Sequence, residues 1–297
     1  GVAAEDHRQL LGLEADAVRA HIEWRRRDQN PERKDIRIVD LTTGERVLNR
    51  VCARVERESG DLIFQPATVP GEYAVYYLPY NPGTGNFDDP GTYFEPEHTA
   101  EADWIARNRL SPQALESAAW ESLPRAEVLR IEARGEFHRM DPMEVIATRA
   151  ETQAVLAAHP EESYLLFPED RKYPIRMFED IPLKWAVSGP STSFEGTAQP
   201  GEYYVFQVGV WAARKAVPGL DVDLPALSTD GGKRISRSQV TCFNLSGRDW
   251  LGRPMRRDFA VAQGQVRALW FGIQIPQDAE GVYRGTFTIR PEGAPPC

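Results

Sequence analysis

The stretch Gln199–Ala212, QPGEYYVFQVGVWA, decides the fold. A Pro-Gly pair turns the chain, a tyrosine pair follows at once, and an extended apolar run continues to Ala212. A tyrosine after a glycine turn returns at PGEYAVYYLPY (Pro70–Tyr80) and at EGVYRGTFTI (Glu280–Ile289). Each places a tyrosine just after a glycine turn, at the entry to a strand. This is a recurring strand-entry device and not a sequence repeat. It suits β-sandwich domains, in which the aromatic caps the end of the core.

Outward from these segments, strand signals continue to dominate. AVRAHIEW (Ala17–Trp24) is short and partly alternating, and KDIRIVDL leads through TTGE into RVLNRVCARVERE. In that last run Val47, Val51, Ala53 and Val55 share one face at period two, and Arg50, Arg54 and Glu56 share the other, as in a half-buried antiparallel strand. Cys52 falls on the polar side, as a small filler. DGGK (230–233) is a hairpin-like turn, and QVRALWFGIQIP (Gln265–Pro276) alternates apolar residues. Two helices interrupt. SPQALESAAWESL offers Ser111 as N-cap with Pro112 behind it, and DPMEVIATRAETQAVLAAH offers Asp141, Pro142 and Glu144 in a capping-box-like order. Strands never alternate regularly with helices, so the chain does not encode an α/β barrel. The predicted fold class is mainly β, with two β-sandwich-like domains. The first, 1–181, carries the inserted α-helices. The second, 182–297, is an antiparallel, immunoglobulin-like sandwich. GPSTSFEG (Gly189–Gly196) reads as a linker between them.

The 297 residues are 41% hydrophobic and 27% charged, with a formal charge of −9, which reads as a globular chain that makes a poor binder of nucleic acid. The basic run WRRRDQNPERK (Trp24–Lys34) is interleaved with acids and reads as a solvated strand end. No apolar run is long enough for a membrane span. Three cysteines (Cys52, Cys242, Cys297) are too few and too far apart for a disulfide framework. Five scattered histidines form no metal-binding pair, so no metal and no cofactor are expected.

Motifs for catalysis are equally scarce. There is no GxSxG elbow, no P-loop and no dinucleotide fingerprint. NPGTGNFDDPG (Asn81–Gly91) sets Asp88 and Asp89 beside Tyr93 and Phe94. That arrangement suits calcium or sugar contact, or simply an ordered surface loop. Acidic pairs such as Glu101 with Asp103, Glu136 with Asp141, and Asp221 with Asp223 read as solvated groups. NLS at 244–246 fits the N-glycosylation pattern. VTCFNLSGRDWLGRPM (Val240–Met255) is too polar for a core strand and too aromatic for an ordinary loop.

The phrases AHIEWRRRDQNPERKDIRIVD, PMEVIAT, YLLFPEDRKYPIRM and GEYYVFQVGVWAARK, with TCFNLSGRDWLGRPM and VRALWFGIQIP, carry a family pattern. The chain resembles the non-catalytic N-terminal region of bacterial proteins similar to glycoside hydrolase family 123, from about Arg19 to about Arg290. That resemblance implies a secreted, periplasmic or cell-surface enzyme in which β-sandwich domains precede a C-terminal catalytic (β/α) barrel. It further implies N-acetylhexosaminidase chemistry, with the substrate's own acetamido group as nucleophile and an adjacent Asp and Glu of the barrel as its helpers. The chain stops after the last sandwich strand, so no catalytic residue transfers to any position, and hydrolysis by this chain alone is not expected. Three functions then compete: an accessory region supporting the barrel, a free-standing carbohydrate-binding protein, and a structural or cell-surface sandwich. Candidates for docking or carbohydrate contact are Asn244, Asp249 and Trp250 in the second domain, and Tyr80, Tyr93 and Phe94 in the first. Trp250 is either a docking residue or a plug in the end of the sandwich core.

Overall fold

The computed structural model describes residues 2–4, 15–84, 91–133 and 142–297. The chain divides into two compact units, Gly1–Arg139 and Met140–Cys297.

The first unit contains β1 (Val2–Ala4), β2 (Val18–Ile22), β3 (Ile36–Asp40), β4 (Arg50–Val55), β5 (Gly60–Phe64), β6 (Gly71–Tyr77), β7 (Tyr80–Asn81), β8 (Thr92–Tyr93) and β9 (Arg125–Val128). Seven of these form one sheet in the order β3-β6-β1-β9-β2-β5-β4. The pairings are antiparallel except β2 with β9, which is parallel over Arg19↔Arg125 and Ala20↔Ala126. In that order β5 and β6 lie four steps apart, roughly 19 Å in a flat sheet. Yet the rings of Phe64 on β5 and Tyr73 on β6 meet at 5.1 Å, so the sheet doubles over on itself into a sandwich. Between its halves lie Ala20, Ile22, Trp24, Ile36, Ile38, Leu62 and Phe64. Tyr73 closes this core as a strand-entry tyrosine: its hydroxyl donates to the Thr68 carbonyl at 2.6 Å and accepts from the Thr68 amide at 2.9 Å.

β5 is buried on both faces, because Ile63 packs away from the sandwich against Trp104 and Trp120. Trp104 comes from α1 (Ala102–Asn108), and α2 (Pro112–Leu115) precedes a short 3-10 turn bearing Trp120. Ser111 caps α2 as expected, its hydroxyl accepting from the Ala114 amide. The basic run is a solvated end only in part: Arg27, Gln29, Asn30, Glu32 and Arg33 are exposed, whereas Trp24, Arg26 and Pro31 are buried. Arg26 is buried, with its guanidinium 5.1 Å from the Trp24 ring and 5.3 Å from the Tyr77 ring and its Nε and Nη2 donating to the two carboxylate oxygens of Asp28 at 2.8 Å each. Arg50, expected on the polar face of its strand, is buried too, paired with the fully buried Asp35 at 2.8 Å.

The second unit contains α3 (Arg149–Ala158), β10 (Leu165–Asp170), α4 (Leu183–Ser188), β11 (Tyr203–Trp211), β12 (Leu220–Asp223), β13 (Leu227–Ser228), β14 (Arg234–Ile235), β15 (Val240–Cys242), β16 (Ser246–Arg248), β17 (Pro254–Arg256), β18 (Val266–Gln274) and β19 (Thr288–Pro291). Its main sheet runs β10-β11-β18-β15, antiparallel throughout. Tyr204, Phe206, Val208, Val210, Leu269, Phe271 and Ile273 point inward onto residues of the small pairs β12-β19 and β13-β14, among them Val222, Leu227, Ile235 and Ile289. That is the sandwich core.

The sheet's opposite face is half roofed. Trp185 of α4 stacks on Phe167 at 4.4 Å and 6°, and its ring lies where a side chain on Gly209 would stand, 2.3 Å from that Cβ position. Met143, Ala147, Val155, Ile175 and Ile181 complete the roof over Trp211, Val266 and Ala268.

The division at Arg139/Met140 differs from the expected boundary at 181/182, and the reason is backbone pairing. β10 is registered against β11 from Leu165↔Trp211 to Asp170↔Phe206, so residues 142–181 are part of the second sheet and its roof. GPSTSFEG is accordingly no linker: Phe194 stacks on the core residue Phe206 at 4.8 Å. The helix of this region starts later than its sequence suggests. Asp141 lies outside the described residues. Thr148 is the N-cap, in a capping box with Glu151, because Ile146 and Ala147 are committed to the backbone of Pro182 and Ile181. No helix among the described residues is long and apolar enough to cross a membrane.

Candidate functional site

Val240–Met255 resolves into a hydrogen-bonded arm that ends in a hairpin. Phe243 leaves β15, and the side chain of Asn244 then continues the ladder in place of backbone. Its Oδ1 accepts from the Trp270 amide at 2.9 Å and its Nδ2 donates to the Ala268 carbonyl. The sequon nitrogen is thereby engaged within the fold. Leu245 is buried in the core, and its carbonyl accepts from the Arg257 amide at 3.0 Å. Between these anchors β16 and β17 pair as a hairpin, Ser246↔Arg256 to Arg248↔Pro254.

Asp249 ties the tip. Its carboxylate accepts from the Leu251 amide at 2.9 Å, and from the Arg253 amide and guanidinium, each at 2.8 Å. The Arg253 amide bond chiefly holds its carboxyl below the ordinary range, with help from the Arg253 side chain and the Leu251 amide. Trp250 rides on this tip 89% exposed, and Leu251 is 53% exposed. Trp250 is therefore no core plug. Trp250→Ala should leave the melting transition nearly unmoved, within about 1 kcal/mol as for a surface change, where a core plug would cost roughly 3–5 kcal/mol. Thermal melts of the two proteins check this.

The first-unit candidates also come together. Tyr80 and Tyr93 pair across β7 and β8 with ring centroids 6.4 Å apart at 68°. Phe94 follows, its carbonyl accepting from the Asp35 amide at 2.8 Å. These rings do not form an open flat row. Lys34 Nζ sits 4.7 Å from the Tyr93 centroid and the Arg37 guanidinium 4.4 Å from that of Phe94, so one face of each carries a cation. Asp88 and Asp89 lie outside the described residues. Among the described residues no group of three or more His, Cys, Asp or Glu is placed to hold a metal ion.

A third cluster escaped the sequence reading. On the unroofed half of the second sheet's outer face, Tyr203 and Phe243 approach at 5.9 Å and lean over Gly272, where any Cβ would meet both rings within 2.7 Å. Trp270 stands on the same face, in register with Gln207 and Glu169. β11, β18 and the residue just after β15 contribute these rings, from positions far apart in the chain. The available signal was a local one: in VRALWFGIQ, Trp270 and Gly272 alternate against the core residues Leu269, Phe271 and Ile273.

Comparison with known proteins follows the first unit. Residues 4–134 match the family described as glycoside hydrolase 123, N-terminal domain. This span holds Tyr80, Tyr93 and Phe94 but neither the hairpin nor the Gly272 cluster. Among solved structures, a family 123 glycoside hydrolase from Clostridium perfringens, studied for glycolipid glycan hydrolysis, aligns at 14% identity with a TM-score of 0.27. The alignment covers 33% of this chain and 20% of that one, a likeness too low to establish a shared fold. No curated protein matches the sequence. Over residues 4–134 the chain carries a glycoside hydrolase family 123-like N-terminal region.

Proposed function

We propose that this chain is the non-catalytic, supporting region of an N-acetylhexosaminidase-like glycoside hydrolase that works outside the cytoplasm, and that its partner is a C-terminal catalytic barrel. The observation carrying this reading is the family match over residues 4–134, which is to an N-terminal domain and not to a catalytic one. Glycoside hydrolysis needs an acid held over the scissile bond. Three of the carboxylates singled out in the sequence have other occupations: Asp221 pairs with Arg256 at 3.3 Å, Asp223 with Arg290, and Asp249 with its own turn.

The hairpin is the docking element in this reading. Its exposed Trp250 is held on a tip that is already ordered by Asp249, so little further ordering is needed on contact. Trp and Arg dominate the energetics of protein interfaces, and Arg248, Arg253, Arg256 and Arg257 accompany Trp250 here.

The purified chain should show no turnover of chromogenic N-acetylhexosaminides. Turnover that vanishes when one of its own carboxylates is removed would overturn the reading. The reading frame downstream of Cys297 should encode a barrel with an adjacent Asp and Glu; a frame without one sinks the proposed partnership. With the barrel segment expressed separately, Trp250→Ala should weaken its association by about 2 kcal/mol or more, measured by calorimetry.

A further inference from the structure

We propose that the open half of the second unit's outer face, the rings of Tyr203, Phe243 and Trp270 set around Gly272, is a stacking site for the apolar face of a neutral pyranose sugar. This is a binding function separate from support of a barrel, and it does not depend on that role.

The outer face carries apolar side chains on either side of the buried polar pair Gln207 and Glu169, and its two halves are treated differently. Over Gly209 the chain supplies its own cover, Trp185. Over Gly272 it supplies only the two rings that lean across the glycine, and these remain open to solvent. Tyr203 and Phe243 are each 41% exposed and Trp270 is 37% exposed. Aromatic side chains of this size present about 150–250 Å2 each, so the open ring surface totals roughly 200–300 Å2. A stable protein partner covers about 800 Å2 per side, so the patch is several-fold too small for one. It is the right size for one or two sugar rings.

Charge narrows the ligand further. The open half is made by Tyr203, Val205, Thr241, Phe243, Trp270 and Gln274, with no carboxylate, ammonium or guanidinium group among them, in a chain of which 27% is charged. Among the described residues no cation is placed over these three rings, in contrast to Tyr93 and Phe94. A phosphate or a carboxylate would meet no countercharge here and would face the negative side of the rings. A pyranose needs none. Its axial C–H bonds point at ring faces, which carry the negative side of the aromatic quadrupole. Its hydroxyls can reach the Tyr203 and Thr241 hydroxyls and the Gln274 amide, which border the rings by register: Tyr203 lies opposite Gln274, and Thr241 opposite Gly272. A few polar groups around an apolar floor is the composition of small-ligand sites. Covering a glycine in a strand explains why two rings lean inward. It does not account for Trp270 standing beside them, exposed.

The test uses the full chain with nitrogen-15-labelled tryptophan, the indole signals assigned through Trp270→Phe and Trp250→Phe. The probes are the methyl β-glycosides of N-acetylgalactosamine, N-acetylglucosamine, galactose and glucose. With at least one of them the Trp270 indole signal should shift saturably, with a dissociation constant on the order of 1 mM, as few stacked rings give. The Trp250 signal should stay still. Trp270→Ala and Tyr203→Ala should each raise the dissociation constant at least tenfold, and Val282→Ala, at an exposed position away from these rings, should leave it unchanged. No saturable shift at Trp270 with any of the four sugars would overturn the proposal. So would equal shifts at both tryptophans, or binding that survives both alanine variants. The wild-type titration decides the matter even if a variant fails to fold, and it is indifferent to whether a barrel exists.

Discussion

Trp185→Ala should cost the second unit about 3–5 kcal/mol, the range for truncating a buried tryptophan. Three losses combine at this one position. The ring is fully buried and stacked on Phe167, so its removal opens a cavity above the sheet. Gly209 lies directly beneath, and a glycine has no side chain with which to fill the gap. The indole nitrogen also donates to the buried carboxylate of Glu169 at 2.7 Å, leaving it afterwards only Lys184. Trp185→Phe separates these terms. It keeps a ring over Gly209 but drops the donor, and a hydrogen bond to a charged group contributes about 1.5–3 kcal/mol. Amide hydrogen exchange across β10 and β11 reads both variants within the second unit. If Trp185→Ala left β11 protection unchanged, the roof would be an ornament and not part of the unit.

The roof also marks where sequence stopped being informative. The fold class was legible because period-two runs and glycine-tyrosine strand entries are local signals: Tyr73 and Tyr204 do cap their cores. The boundary at 181/182 was not legible because it depends on which strands pair. YLLFPED contains Pro168, which cannot donate to a ladder and argues against a central strand. β10 tolerates it because it is the edge of its sheet, with β11 on one side alone. Nothing local says that this edge strand belongs with Tyr203–Trp211, more than thirty residues onward. Likewise ATRAE contains a capping box only if Thr148 is chosen over Asp141. Tertiary bonds from Ala147 to Ile181 make that choice.

The candidate site was legible in part. The polarity of SGRDWLGRP, with glycines flanking Trp250, pointed to an exposed tip, and Trp250 is exposed. The Gly272 cluster was out of reach, since Tyr203, Phe243 and Trp270 become neighbours only through the registers of β11, β18 and β15. Arg26 and Arg50 misled for a related reason. Composition counts an arginine as surface, whereas Asp28 and Asp35 make burial of these two tolerable by pairing with them.

Asp35→Ala should be the corresponding lesion in the first unit, at about 3–5 kcal/mol, the cost of stranding one partner of a buried ion pair. Asp35 is fully buried, and it receives Arg50 and Arg37 at 2.8 Å each and the Glu97 amide at 3.3 Å. Removing it leaves Arg50 charged in the interior with no counterion. Burial by itself would push the Asp35 carboxyl up. The bonds from Arg37 and the Glu97 amide, and the charges of Arg50 and Arg37, outweigh it, so the carboxyl titrates below the ordinary range. Asp28, held by Arg26 and Lys34 against the same opposing effect of burial, is also lowered. A carboxylate depressed in the folded state binds fewer protons there than in the unfolded chain. Its contribution is therefore complete above the unfolded value of about 3.9 and is lost as pH falls through the lower, folded value. The first unit should lose stability over that acid window. Asp35→Asn, which keeps the shape and removes the titration, should flatten the slope there while lowering stability at neutral pH. Hydrogen exchange of β5 and β6 amides against pH checks both halves, because 3–5 kcal/mol corresponds to a fall in protection of roughly two to three and a half decades. An unchanged acid slope in Asp35→Asn would place the acid sensitivity at the other lowered carboxylates of this unit, Asp28, Asp40 and Glu97, and not in the Asp35–Arg50 pair.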